Sequence, residues 1–285
     1  MTRTVCSIAV VAPSSRMAPE VVDRVQGLAA ALYPDRTPRI VFHPQCLAAS
    51  GHFAGDDDTR AAAFVEAAND AAYDAVWFAR GGYGAGRLVE MVLPRLGEAA
   101  SRKAYLGYSD GGALLAALYR EGFQDVSHGP MAQDVLRDGG DAAVARALAW
   151  LVDRDPGALE PSLSGGSVKA AAFNIAILSS IIGTPLQPDL DGHVLMLEEV
   201  SEYMYRIDRS LLHITSNPRI RRIAGLRLGR CSAIPDNDPD FGMTEEQVAR
   251  YWCHRAGIPW LGRADIGHDA DNRVVPFGGA PAPDR

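Results

Sequence analysis

Cysteine is sparse in this chain, with four residues, Cys6, Cys46, Cys231 and Cys253, in a length of 285. None forms a C-x-x-C pair. That excludes the common zinc and dithiol motifs and predicts reduced core thiols rather than a disulfide framework. A basic excess is also missing. The formal net charge is −7, so there is no electropositive footprint for DNA, RNA or anionic lipid. No apolar run nears the roughly 20 residues of a membrane span. The opening MTRTVCSIAVVAPSS has an apolar stretch only as long as a buried strand, with Pro13 and a helical pattern directly after it. It reads as the first strand of a mature cytoplasmic protein rather than a signal peptide. There is no H-E-x-x-H and no Cys/His cluster, so the expected chemistry uses no metal and no cofactor. Internal repeats and low-complexity tracts are absent. What is there, 47% hydrophobic and 22% charged residues, excludes a disordered chain and suits one large or two modest globular domains.

The first half alternates strand and helix. CSIAVVA is a continuous apolar run, as a strand buried on both faces requires. A helix follows from near Pro19, with Val22, Val25, Ala29 and Leu32 as its apolar stripe. RIVFH, DAVWFA, AYLGY and FQDVSHG read as further strands. Between them lie helices in GDDDTRAAAFVEAANDAAY, GRLVEMVLPRL and DGGALLAALYREG. Repeated β-α-β units imply a parallel sheet covered by helices on both faces. After the helix DAAVARALAWLVD, the stretch RDPGALEPSLSGGS is rich in Pro, Gly and Ser and is the expected linker. The predicted organisation is an N-terminal domain over 1–153, a linker over 154–168 and a C-terminal domain over 169–285. In the last of these FNIAILSSIIGT, YMYRIDRSLLHI and TEEQVARYWCHRAG read as helices, and HVLMLEEV and RIAGLRLG as strands.

Ligands of open parallel sheets bind beyond the carboxyl ends of the strands. Two loops reach that edge, ARGGYGAGR after the third strand and GYSDGG after the fourth. In the second, Gly107, Ser109 and Gly111 form G-x-S-x-G. This pattern makes a sharp strand-to-helix turn, with glycines where the backbone folds back too tightly for side chains. The turn would hold the Ser109 hydroxyl at the sheet edge, beside helix N–H groups able to stabilise an oxyanion. The bland alternative is a helix cap. RGGYG has neither the lysine of a phosphate-binding P-loop nor G-x-G-x-x-G spacing. Its backbone N–H groups fit better as an oxyanion partner, and Arg80 can reach for a substrate carboxylate; the alternative is a plain tight turn.

A serine nucleophile needs a base and a group to orient it. Of seven histidines, His43 and His193 lie in or beside strands, and His213 and His254 on helices. His128 closes a strand at the same sheet edge, and His268 lies in a glycine-flanked loop. These two remain open on the residues alone. For the acid, the pair ending HVLMLEEV is costly to bury unpartnered. Strand alternation puts Glu198 and Glu199 on opposite faces, one inward and one toward solvent. Ser109, Glu198 and His268 would have the chain order nucleophile, acid, base.

Taken together, VVAPSS, RGGYGAGR, LGYSDGGALLAAL, the HGP at His128, IIGTP, LMLEEVSEYMYRIDRSLL and GHDADNRVVPFG resemble the LD-carboxypeptidases, a family of serine peptidases. The resemblance spans nearly the whole chain. It implies an α/β fold: a parallel doubly wound, flavodoxin- or class I glutaminase-like N-terminal domain with a smaller C-terminal α+β domain. By position it implies Ser109 as nucleophile, Glu198 as orienting acid, His268 as base, and His128 as structural. The backbone N–H groups of Asp110 and Gly82 become the oxyanion hole, with Gly81 the alternative to Gly82. Arg80 and Gly81 become substrate contacts, and Arg206 and Asp208 a structural ion pair or helix-orienting contacts. The implied reaction is removal of terminal D-alanine from murein tetrapeptides in cytoplasmic cell-wall recycling, with a small peptide as the partner and a homodimer allowed. A relative cleaving another amide, such as a peptidyl-nucleotide or a cyclic peptide, and a silent peptidoglycan-fragment binder are the alternatives. A glutaminase would want cysteine at the elbow. One departure stands out: AAFNI, Ala171 to Ile175, replaces the family's Gly-Gly-Asn-Leu stretch and keeps only Asn174.

Overall fold

The structure, a computed structural model, describes residues 5–164 and 168–279. In chain order the first elements are β1 (Ser7–Val11), α1 (Val21–Leu32), β2 (Arg39–Phe42), α2 (Asp57–Asn69) and β3 (Ala75–Phe78). Then come α3 (Ala85–Val92), α4 (Glu98–Ser101), β4 (Ala104–Gly107), α5 (Gly112–Arg120), β5 (Val126–His128) and α6 (Gly140–Asp153). The second part holds β6 (Ala170–Asn174), α7 (Ile175–Ile181), β7 (Val194–Val200) and α8 (Met204–Ser216). It ends with β8 (Gly225–Ser232), α9 (Glu245–Ala256), β9 (Trp260–Arg263) and β10 (Val275–Pro276).

The first sheet has the order β10-β5-β4-β3-β1-β2. Its first five strands in chain order run parallel, and β10 pairs antiparallel with β5. Every residue of β1, β3 and β4 is buried, which explains their uninterrupted apolar sequences. The second, smaller sheet has the order β6-β7-β8-β9, all parallel. The mixed α/β architecture with two parallel-dominated sheets is the expected fold class. One hydrophobic core runs between the sheets, joining Phe78 and Tyr105 of the first to Phe173, Leu197 and Leu228 of the second. On α1 the buried stripe is Val21, Val25 and Ala29, while Leu32 is exposed.

Three strands escape the sequence reading. β6 lies in KAAAFN, which an alanine-rich, helix-like composition disguises. β9 is half-exposed, and β10 is too short to show alternation. The Pro/Gly/Ser-rich stretch is also more than a spacer. Ala158, Leu159 and Leu163 are buried, and Leu159 bridges Val274. That composition signals the lack of regular structure, not exposure. Of the predicted linker, residues 165–167 lie outside the described residues. No helix among the described residues is long and apolar enough to cross a membrane.

Candidate active site

The elbow follows from packing. Ser109 has φ +57°, a left-handed conformation that costs a non-glycine residue about 1–3 kcal/mol and clusters at functional sites. Flanking glycines make it accessible. A Cβ on Gly107 would collide with the Phe78 ring, standing 2.8 Å from Cγ, and one on Gly111 would stand 2.6 Å from Phe78 Cδ2. A single buried ring therefore fills both notches, and the chain can reverse around it. Ser109 is half-buried, at the start of a 3-10 turn that runs into α5.

The RGGYG loop closes over this elbow. A Cβ on Gly81 would stand 2.9 Å from both Cβ and Oγ of Ser109, so only glycine leaves the hydroxyl room. Gly82 and Gly84 have φ +116° and +127°. The Gly81 carbonyl accepts a hydrogen bond from Ser15 N–H at 3.2 Å. Two buried charged side chains brace this region, Asp110 from the elbow and Arg60 from α2. The Asp110 carboxylate accepts from Ser14 Oγ at 2.5 Å and from Ala85 N–H at 2.8 Å, at the start of α3. Burial raises its pKa despite those donors. Arg60 donates to the carbonyls of Pro13 and Gly84 and pairs with Asp57.

The candidate acid and base come from elsewhere. Glu198 lies on β7, where the register with β8 shifts between Leu197 and Glu199; such bulges re-aim side chains. Its Oε2 accepts from His268 Nδ1 at 2.6 Å, in a pair 0% and 6% exposed. Burial pulls the His268 pKa down, but the charge and hydrogen bond of Glu198 outweigh it, and the net shift is upward. The His268 ring lies 4.8 Å from the ring of Tyr108, the residue preceding Ser109. No hydrogen bond joins Ser109 Oγ to the imidazole among the described residues. With Nδ1 occupied, Nε2 is the nitrogen left for a reacting group. His128 stands behind this pair, fully enclosed, with Nε2 on Asn272 Oδ1 at 3.3 Å. Burial pushes its pKa down to about 4, so it stays neutral.

This arrangement was compared with known proteins. The LD-carboxypeptidase N-terminal domain matches residues 8–129, and the LD-carboxypeptidase C-terminal domain residues 169–281. The chain belongs to the LD-carboxypeptidase family. The murein tetrapeptide carboxypeptidase of Pseudomonas aeruginosa is 29% identical over 228 residues, covering 72% of this chain and 70% of that protein. The structure of muramoyltetrapeptide carboxypeptidase from Oxalobacter formigenes superposes with a TM-score of 0.78 at 25% identity, covering 95% of this chain and 93% of the other. The microcin C7 self-immunity protein MccF superposes equally well, with a TM-score of 0.78 over 96% and 92% of the two chains. At 16% identity it speaks for the fold alone. The chain is thus a serine-type carboxypeptidase.

Other expectations for this LD-carboxypeptidase are corrected or refined by the structure. Glu199 does not meet solvent: it is 3% exposed. It accepts from Asn174 Nδ2 at 2.6 Å, from the Ala176 N–H at the start of α7 at 2.9 Å and from the adjacent Val200 N–H at 2.9 Å. Asn174, the residue kept in AAFNI, thus braces the neighbour of Glu198. Arg206 and Asp208 do not pair with each other. Arg206 sits 3.7 Å from Glu202, and Asp208 accepts from Trp252 Nε1 at 2.9 Å. Arg80 donates to the Arg16 carbonyl at 2.9 Å and lines a surface cleft of about 490 Å³ with Arg16, Met17 and Leu47. All four cysteines are free, and burial pushes the Cys46 thiol up to about 12. No group of three or more His, Cys, Asp or Glu side chains among the described residues is arranged to hold a metal ion.

The sequence reading missed the Asp110 carboxylate, Arg60 and Asn272. The first had a signal, since an acid after the elbow serine faces helix N-termini. A buried arginine that binds carbonyls has no sequence signature.

Proposed function

We propose that this chain removes the terminal D-alanine from murein tetrapeptides in cytoplasmic cell-wall recycling, by a Ser109–His268–Glu198 acyl-enzyme mechanism. The observation that carries the reading is the 2.6 Å bond from a fully buried Glu198 to His268, beside a serine on a left-handed elbow. The names of the Pseudomonas and Oxalobacter relatives support the substrate.

In this mechanism His268 Nε2 takes the hydroxyl proton as Ser109 Oγ attacks the carbonyl between an L-configured centre, meso-diaminopimelate or lysine, and D-alanine. Glu198 holds the tautomer and stabilises the imidazolium that forms. The oxyanion is received by the N–H groups of Asp110 and Gly82, where one donor is worth roughly 10²- to 10³-fold in rate. Gly81 gives the hydroxyl its space. His268 returns the proton to the leaving amine of D-alanine, which departs. Water then gives a proton to His268 as it attacks the ester, and His268 passes that proton to the departing Ser109 Oγ, which releases the acid and restores the hydroxyl. Arg80 and Arg16 offer charge for a substrate carboxylate at the neighbouring cleft.

The test is mass spectrometry of a murein tetrapeptide incubated with the protein and with Ser109→Ala. Loss of one D-alanine by the wild type alone is expected, with kcat in the variant lower by roughly 10⁴- to 10⁶-fold. An intact tetrapeptide, with Ser109 still labelled by a fluorophosphonate, would discard the substrate and keep the nucleophile. Cleavage of a peptidyl-nucleotide instead would favour the other amide.

A further inference from the structure

The loop that carries His268 is held by arginines from three places. Arg230 of β8 donates to Asp269. Arg146 of α6 donates to the carbonyls of Ala270 and Asn272. Arg137, between β5 and α6, donates from Nη1 to the carbonyl of His268 itself. The first two bind residues that follow His268. Arg137 differs because its other nitrogens reach the elbow.

Its Nη2 lies 3.3 Å from Tyr108 Oη, and its Nε donates to Asp134 Oδ1 at 2.8 Å. Tyr108 Oη closes the ring by donating to the same Asp134 oxygen at 2.9 Å. Asp134 Oδ2 accepts from Met131 N–H at 2.8 Å, which fixes the carboxylate to the turn after β5. Burial and the Asp134 charge hold the phenol well above its ordinary pKa, so it stays protonated and able to donate. One planar guanidinium thus binds the residue before Ser109 and the backbone of His268. The three bonds start from three separate nitrogens of one planar fork, a spread that the single nitrogen of an ammonium does not reproduce.

We propose that Arg137 is a positioning residue that locks the base loop onto the nucleophile elbow. The proposal rests on the Ser109–His268 reading above. Glu198, on the second sheet, fixes the rotation of the imidazole, and Arg137, on the first-sheet side, fixes the backbone from which it hangs. The base is held at both ends.

The experiment compares Arg137→Met and Arg137→Lys with the wild type. Three readouts are taken: kcat and KM on the tetrapeptide, the rate of Ser109 labelling by a fluorophosphonate, and the His268 titration followed by NMR. Arg137→Met should lower kcat and the labelling rate by on the order of 10²-fold, the scale of a displacement of about 1 Å, with KM little changed. The His268 midpoint should rise, because a nearby positive charge is gone while Glu198, Asp134 and neutral His128 still face the ring. Arg137→Lys keeps the charge without the fork. It should leave the midpoint near wild type and still lose most of the rate. Should Arg137→Met fail to fold, the lysine variant decides alone: full rate in it overturns the proposal. Folded variants with wild-type kcat, labelling rate and His268 midpoint overturn it as well. A wild type that resists labelling and turnover would refute the Ser109 reading instead. The NMR midpoints would then still show whether Arg137 is coupled to His268.

Discussion

Gly107→Ala tests the claim that the elbow is shaped by one buried ring. The new methyl would stand 2.8 Å from Phe78 Cγ and 3.0 Å from its Cβ, and closer still to Cδ2. Ordinary carbon contacts lie at roughly 3.5–4.0 Å, so ring or strand must move by about 1 Å. The ring has little freedom. Phe78 is 0% exposed, meets Phe64 edge-on at 6.1 Å between centroids, and also fills the notch at Gly111. Overpacking of this kind costs roughly 1–3 kcal/mol. At about 2–4 °C per kcal/mol, Tm should fall by roughly 2–12 °C. Because β4 leads straight into Ser109, a shift of that size should also cut kcat by on the order of 10²-fold. Phe78→Leu alone leaves a small void and costs on the order of 1 kcal/mol. Combined with Gly107→Ala it makes room for the methyl, so the double variant should be more stable than the sum of the singles by at least about 1 kcal/mol. Denaturation midpoints and kcat for all four proteins complete the cycle. Additivity within about 0.5 kcal/mol, or a Gly107→Ala protein as stable and active as wild type, would refute the reasoning.

Further predictions concern the histidines. His268 must be neutral to accept a proton and its pKa is raised, so the acid limb of kcat/KM should have its midpoint above the ordinary histidine value near 6.5. Glu198→Gln should move that midpoint toward acid and lower kcat by on the order of 10⁴-fold; a wild-type midpoint at or below about 6.5 contradicts the Glu198–His268 coupling. In stability the same pair works in the opposite sense. Its contribution is fully present below the unfolded pKa and is lost as pH rises through the raised folded value, which urea midpoints across that range would show for wild type but not for Glu198→Gln. His268→Ala should lower kcat by on the order of 10⁶-fold, whereas His128→Ala should cost chiefly stability, roughly 1–3 kcal/mol for the hydrogen bond to Asn272. Equal losses of activity in two folded proteins would transfer the base role to His128.

What the sequence disclosed follows the range of the forces involved. β1, β3 and β4 were legible because burial on both faces leaves continuous apolar runs. The elbow was legible because its glycines lie beside the serine they serve. β6 was not, because alanine has little strand preference of its own. Ala171 and Phe173 are held as a strand by the core between the sheets. Alternation misjudged Glu199 because a strand rule cannot foresee a helix N-terminus arriving overhead, with Asn174 and the Ala176 N–H taking up the carboxylate. The contacts that set His268 on Glu198 and His128 on Asn272 join residues far apart in sequence, which no local pattern carries.

The position of His268 explains why the two sheets must be built together. Residues 264–274 leave the second sheet at β9 and enter the first at β10. On one side Ala264 N–H donates to Leu228 at 3.0 Å and Arg230 N–H to Ile266 at 2.8 Å. On the other, Val274 N–H donates to Ala158 at 3.0 Å, and Val275 pairs with His128. His268 thus hangs from both sheets, while Ser109 belongs to the first and Glu198 to the second. Their spacing is set by the packing between, where Phe173 of β6 lies 5.0 Å from Phe277 between ring centroids. Phe173 also stands 3.5 Å from where a Cβ on Gly112 would be, at the start of α5. The AAFNI departure falls on this joint and not on the triad. A change of side-chain volume there would shift Ser109 against His268. Phe173, 1% exposed, should therefore be felt in both readouts. Phe173→Leu should lower Tm as a core truncation does and also cut kcat by on the order of 10²-fold, the scale of an ångström of slip. A destabilised variant with wild-type kcat would refute the coupling.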